Sequence, residues 1–249
     1  MNCLSVIIPC YNEESNLKRG VLNQVDKYLS SQEFLSEVII SDDGSTDKSK
    51  ELVRKFIKKN KGFRLLENDH GGKAFAVEKG IKKARGELVL FTDMDQSTPI
   101  SEMKKFLPYL EKNFDIVIGS RGILRKKAPF YRQIAAFVFR FIRKLIVLKE
   151  INDTQCGFKM FKTRVARDLF KRLLVFKEKR KVKGWRVSAF DVELLFLAEK
   201  MGYKIKEVPV FWEDKDVALG KKRNFLKESW QMFEEIIRVR LNEFLGRYQ

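Results

Sequence analysis

Short apolar runs alternate with helical periodicity through the first half of this chain, and that alternation restricts the fold more than any other feature. Residues 4–9, 38–41, 63–66, 88–92 and 116–119 are apolar or β-branched, are bounded by turn residues, and read as strands. Residues 14–29, 46–58, 73–83 and 101–113 lie between them and carry helical periodicity. Strand–helix alternation predicts an α/β fold with a mostly parallel sheet and helices on both faces. Ligands of such sheets bind beyond the carboxyl ends of the strands. The residues just after each strand are therefore the ones that matter for function.

Those residues are distinctive. Pro9-Cys10-Tyr11-Asn12-Glu13-Glu14 follows the first strand, Asp42-Asp43-Gly44-Ser45-Thr46-Asp47 closes the second, and Asp93-Met94-Asp95 closes the fourth. Three acidic clusters are thus expected at one edge of the sheet. Crowded carboxylates repel one another and call for a cation or hydrogen-bond donors. Asp47 has a local explanation, since it falls in the first turn of a helix. For Asp93 and Asp95 together a turn role is the lesser reading. His70 is the only histidine and reads as a turn residue.

Charge separates the two halves. The net charge is +18; residues 1–119 carry 19 basic and 18 acidic groups, whereas residues 120–249 carry 32 basic and 15 acidic ones. The second half is therefore built to meet something anionic, a membrane surface or a nucleic acid. Nucleic acid is not expected, because acidic clusters at a sheet edge repel phosphates. Residues 129–149 form a strongly apolar helical pattern interrupted by Arg132, Arg140, Arg143 and Lys144. Those charges are unsuited to a bare transmembrane span; they suit a helix lying in the interface plane or, equally, a core helix with snorkelling arginines. Residues 176–184 are charge-dense and read as an exposed loop. A helix over 191–200, a strand over 204–210 and an amphipathic helix over 224–245 complete the pattern. Cys3, Cys10 and Cys156 match neither a zinc spacing nor a disulfide framework, and the amino-terminal residues lack a signal-peptide pattern. A reducing, cytoplasmic setting is expected.

With these motifs in view, the chain resembles the inverting glycosyltransferases of family 2, which have the GT-A nucleotide-sugar-binding fold. The likeness is strongest to the polyprenyl-phosphate and dolichyl-phosphate sugar synthases of the β-glucosyltransferase type. It is carried by residues 5–14, 42–47, Gly72-Lys73-Ala74-Phe75, Asp93-Met94-Asp95, Gly119-Ser120-Arg121, Asp153-Thr154-Gln155-Cys156-Gly157-Phe158-Lys159 and Phe190-Asp191-Val192-Glu193, all in the family's order. The resemblance implies a catalytic domain over 1–212, with a nucleotide-binding half at 1–119 and an acceptor half at 120–212, followed by a basic segment with an amphipathic helix at 213–249. It implies a divalent cation, Mg²⁺ or Mn²⁺, at Asp93 and Asp95. It places Pro9, Tyr11, Glu13, Asp42 and Asp43 around the base and ribose, with Met94 between the two metal-binding carboxylates. Lys73 follows a Gly-Gly pair and is expected near the diphosphate.

The acceptor decides what else is needed. A sugar hydroxyl requires a carboxylate base, whereas a lipid phosphate is already an anion and requires cations. Arg121 and Arg132 suit a phosphate, which guanidinium groups match bidentately. Asp191 stands where the family often places its base; here it is expected to orient the acceptor's partners or the sugar. Ser188 three residues earlier gives it a capping-box alternative. The expected partners are a nucleotide-sugar donor, a UDP-sugar above a GDP-sugar, together with a polyprenyl-phosphate acceptor and an anionic membrane surface at the cytoplasmic face. A GDP-mannose-dependent synthase and a hydroxyl-acceptor transferase are the alternatives. The residues after Val208-Pro209-Val210 depart from the family's usual spacing, with Lys215 and Lys221-Lys222-Arg223 as the nearby cations.

Overall fold

The structure, a computed structural model, describes residues 3–121, 151–176, 190–217 and 225–248. Its strands are β1 (Leu4–Cys10), β2 (Ser36–Asp43), β3 (Phe63–Asn68), β4 (Leu88–Phe91), β5 (Ile116–Ser120), β6 (Lys159–Lys162) and β7 (Ile205–Pro209). Its α-helices are α1 (Glu14–Lys18), α2 (Val21–Ser30), α3 (Ser49–Ile57), α4 (Lys73–Lys83), α5 (Leu107–Glu111), α6 (Thr163–Arg172), α7 (Phe190–Lys200) and α8 (Phe225–Phe244). The strands form one sheet in the order β3-β2-β1-β4-β6-β5-β7. All neighbours are parallel except β6, which runs antiparallel between β4 and β5.

Both faces of the sheet are covered, which is why its strands are almost continuously apolar. Alternation along β1 sends Ile7 to one face and Val6 and Ile8 to the other. On the Ile7 face lie Ala74, Val77 and Ile81 of α4, the buried stripe of α6, the apolar body of α7, and Ile236 and Val239 of α8. On the opposite face lie Val21, Leu22, Val25 and Leu29 of α2, Val53 of α3, and Met103 and Phe106. From β1 the chain order runs outward through β2 and β3 on one side and jumps to β4 on the other. The crevice of such a sheet opens at this reversal, between the carboxyl ends of β1 and β4.

The structure differs from the expectation at five places, the first being α6, which was not expected as a helix. The helix expected over 14–29 is broken at Gly20, whose φ of +80° no right-handed helix can accommodate. Helix α3 starts at Ser49 rather than 46, because residues 44–48 wrap around the β1 loop. The helix expected over 101–113 is a 3₁₀ turn, Ile100–Lys105, followed by the short α5 with Pro108 in its first turn. β6 was not expected as a strand, being four residues long with a lysine at each end. The expected interfacial helix over 129–149, the loop expected over 176–184 beyond Phe176, which ends a 3₁₀ turn at Leu174–Phe176, and the basic 221–223 cluster lie outside the described residues.

Candidate functional site

The β1 and β2 loops are laced together by side chains that accept main-chain hydrogens. Asn12, in the left-handed region at φ 54°, donates its amide to Ser45 Oγ at 3.0 Å, and its Oδ1 accepts from the Thr46 amide at 2.9 Å. The Glu13 amide donates to Ser49 Oγ at 2.8 Å, and the Glu14 amide to Asp47 Oδ2 at 3.1 Å. Asp47 Oδ1 also accepts from the Ser49 amide at 2.9 Å, the local role the sequence suggested for it at the start of α3. Glu13 is buried, and its Oε2 accepts from Asn16 Nδ2 at 2.6 Å. Pro9 is half-buried within β1 beside these loops.

Asp42 and Asp43 end β2, and both are buried. Asp42 Oδ1 accepts from the Gly44 and Ser45 amides, while its Oδ2 is buried with no hydrogen-bond partner among the described residues. Asp43 holds the turn before α4: Oδ1 accepts from the Gly71 amide at 2.8 Å, Oδ2 from the Gly72 amide at 2.9 Å, and His70 Nδ1 lies 2.9 Å from Oδ2. Burial lifts the Asp43 carboxyl above the usual carboxylate range, against the pull of those donors and of His70. The His70 ring in turn stacks on Tyr11, with centroids 4.4 Å apart. The lone histidine therefore joins the β1, β2 and β3 loops, a role not assigned to it from the sequence. Its position just beyond a strand end was the available signal.

Asp93 and Asp95 follow β4. Lys73, in the first turn of α4, reaches across to Asp93, with Nζ 2.5 Å from Oδ1. Burial works against the Lys73 ammonium, but Asp93 and then Asp191 and Asp95 outweigh it and raise its pKa. Asp95 accepts the Ser97 amide on Oδ1 at 2.8 Å, and its carbonyl accepts from Arg19 Nη2 at 2.5 Å. Burial, then the charge of Asp93 and further that of Asp216, raise the Asp95 carboxyl. Met94 between them is 2% exposed and packs into the core beneath the loop. Gly157 lies against Asp93: a β-carbon there would be 2.0 Å from Asp93 Oδ2.

The residues expected on the acceptor side are paired. Arg121 forms a fork with Asp153, Nε to Oδ2 and Nη2 to Oδ1 both at 2.8 Å, and lies over the Trp212 ring. Burial opposes both charges, yet the Arg121 guanidinium holds the Asp153 carboxyl far below the usual range. Asp191 sits in the first turn of α7 and accepts from Lys159 Nζ at 2.7 Å. Lys159, on β6, is wholly buried. Arg132 and Ser188 lie outside the described residues. Residues 211–217 strap across to the β4 loop and α1: the Glu213 amide donates to the Ser97 carbonyl, the Lys215 amide to Ser97 Oγ, and Asn16 Nδ2 to Asp216 Oδ1 at 3.0 Å. Lys215 Nζ itself lies 3.3 Å from Glu213.

The crevice thus holds an aromatic stack at one end, a lysine and two carboxylates at its centre, and buried ion pairs beyond. Carboxylate oxygens are hard donors suited to Mg²⁺ or Mn²⁺, ions often completed by phosphate oxygens. Asp93 and Asp95 fit that use. Among the described residues no set of three or more His, Cys, Asp or Glu side chains is gathered to hold an ion alone.

Comparison with known proteins agrees with this geometry. The profile of Glycosyl transferase family 2 matches residues 5–170. A dolichyl-phosphate beta-glucosyltransferase of Dictyostelium discoideum is 36% identical over 260 residues, covering 98% of this chain and 75% of that protein. The Homo sapiens protein of the same name is 31% identical over 270 residues, covering 99% and 77%. Among solved structures, a mannosyltransferase of Pyrobaculum calidifontis in complex with GDP-Man and Mn²⁺ has a TM-score of 0.60 at 22% identity, covering 95% of this chain and 64% of the other. Glucosyl-3-phosphoglycerate synthase of Mycobacterium tuberculosis, in complex with Mn²⁺, UDP and glucosyl-3-phosphoglycerate, has a TM-score of 0.61 at 18% identity, covering 99% and 80%. The solved structures support the GT-A architecture expected from the sequence. The matching profile, the near full-length relatives and the acidic loops at the sheet's switch point together make this chain a member of glycosyl transferase family 2.

Proposed function

We propose that the protein is an inverting glycosyltransferase that moves glucose from UDP-glucose to dolichyl phosphate or a related polyprenyl phosphate at a membrane surface. The name shared by its relatives supports this acceptor and sugar. The observation that carries the phosphate acceptor is the state of Asp191. The carboxylate standing where a base would act is held by a buried ammonium at 2.7 Å, which suits a nucleophile with no proton to lose. A hydroxyl acceptor would instead draw on that carboxylate as its base.

In this reading, residues 1–119 bind the donor and residues 120–212 the acceptor, and the basic 213–249 segment follows. Tyr11, backed by His70, offers a face for the base; Pro9, Glu13, Asp42 and Asp43 shape the loops around base and ribose. Lys73 approaches the diphosphate from the start of α4. A divalent cation, Mg²⁺ or Mn²⁺, bound by Asp93 and Asp95 would supply charge neutralisation for the departing nucleoside diphosphate. Arg121, fixed by Asp153, and Arg132 supply positive charge for the acceptor phosphate. The excess of 32 basic over 15 acidic groups in residues 120–249 favours an anionic lipid surface. Among the described residues no helix is long and apolar enough to cross a membrane. Cys3, Cys10 and Cys156 are free thiols, which suits the cytoplasmic face.

A thermal-shift panel tests this reading. Ligands that bind the folded state raise the melting temperature. UDP and UDP-glucose with Mn²⁺ should raise it by several degrees, and GDP and GDP-mannose should not. A shift confined to the guanine nucleotides would favour mannose transfer. No shift with any nucleotide would overturn the donor site.

A further inference from the structure

The sequence of β6 and its approach, Phe158-Lys159-Met160-Phe161, is a core strand with one residue out of character. Phe158, Met160 and Phe161 are fully buried, and so is Lys159. A charge removed from water is costly unless it is paired and hydrogen-bonded. Lys159 is both: Nζ donates to the Cys156 carbonyl at 2.6 Å and to Asp191 Oδ1 at 2.7 Å, and lies 5.2 Å from the centroid of the Phe91 ring. Stability is a weak reason for this arrangement, because replacing a buried ion pair by apolar residues of similar volume is often neutral or stabilising. The pair instead ends at the crevice. Asp191 opens α7, where the helix dipole also favours its negative charge. It is one of the carboxylates whose charge acts on Lys73, and Lys73 Nζ lies 2.5 Å from Asp93 Oδ1. Two ion pairs thus stand in this region, the buried Lys159–Asp191 and the partly exposed Lys73–Asp93.

We propose that Lys159 is a positioning residue for the transfer. It touches no substrate; through its 2.7 Å contact it holds the Asp191 carboxylate in one place at the start of α7, where the crevice needs it. The inference rests on the reading of this crevice as a nucleotide-sugar site.

Three variants test it: Lys159→Met, Asp191→Asn and the double variant, each assayed for kcat, for the donor KM and for UDP affinity by titration. Lys159→Met should lower kcat at least tenfold while UDP affinity, set by the Tyr11 and Asp43 loops and by Lys73, which are not among the contacts of Lys159, stays within about twofold. The double variant should match Asp191→Asn within about twofold, because once the carboxylate is neutral Lys159 has nothing left to position. A general loosening of structure would instead weaken UDP binding and multiply the two losses. Folded Lys159→Met with kcat within twofold of wild type overturns the proposal. So does a double variant at least tenfold worse than Asp191→Asn. If Lys159→Met does not fold, the double variant, which removes both charges together, decides alone; its failure to fold would assign the pair to stability. Absence of transfer by the wild-type protein is a different result, and overturns the functional reading together with this role.

Discussion

Lys73 Nζ and Asp93 Oδ1 lie 2.5 Å apart, joining the start of α4 to the end of β4 across the crevice. The Lys73 side chain is about one-third exposed, so it is open to a ligand entering the crevice. A donor diphosphate entering there gains a charge-assisted contact worth about 1.5–3 kcal/mol. Lys73→Met should therefore raise the donor KM roughly tenfold to a hundredfold in steady-state kinetics. An unchanged KM would remove Lys73 from the donor site.

Gly157 gives a steric test of the Asp93 position. Any side chain there meets the Asp93 carboxylate at 2.0 Å, and a misplacement of about 1 Å in a reacting site costs roughly a hundredfold. Gly157→Ala should lose about that factor in kcat/KM while the melting temperature moves by only a few degrees. Near wild-type activity would mean that the Asp93 conformation is not the productive one.

The Arg121–Asp153 fork predicts an acid limit to stability. The carboxyl of Asp153 is held far below its unfolded value of about 3.9. An acid depressed in the folded state contributes stability above that unfolded value and loses it as pH falls toward the folded one. Asp153→Asn should cost about 3 kcal/mol at neutral pH, since it leaves Arg121 without its partner. The gap to wild type should persist down to about pH 4 and narrow by about 1 kcal/mol at pH 3. Denaturant melts at the two pH values measure it; a gap that widens at pH 3 contradicts the assignment.

Membrane docking is tested by sedimentation with vesicles. Basic residues near an anionic surface contribute about 1 kcal/mol each, screened over a Debye length of about 8–10 Å. Binding to anionic vesicles should be strong at low salt and weaken as salt is raised, with neutral vesicles binding less. Equal binding to both would assign no role to the basic excess of residues 120–249.

Much of this architecture was legible in the sequence because burial on both faces makes parallel strands plainly apolar. β1 to β5 and the three acidic strand ends stood out for that reason. β6 did not, because its lysines read as surface residues until Asp191 and the Cys156 carbonyl are seen to enclose Lys159. The acids of β2 were legible as a cluster but not in their use. Gly71 and Gly72 are distant in sequence, so nothing local reveals that Asp43 holds their amides. Nor could the alternation of residues show that Met94 packs inward while its two neighbours carry the charge. Asp216 was missed for a similar reason: only the folded strap brings its charge near Asp95.

The central claim is most directly tested by transfer itself. Purified protein is incubated with labelled UDP-glucose, Mn²⁺ and either dolichyl phosphate or dolichol, with and without EDTA, and the lipid phase is counted. The account predicts labelled glycolipid from dolichyl phosphate only, abolished by EDTA and reduced at least a hundredfold in Asp95→Asn. Label on dolichol, or full transfer by Asp95→Asn in EDTA, would contradict it.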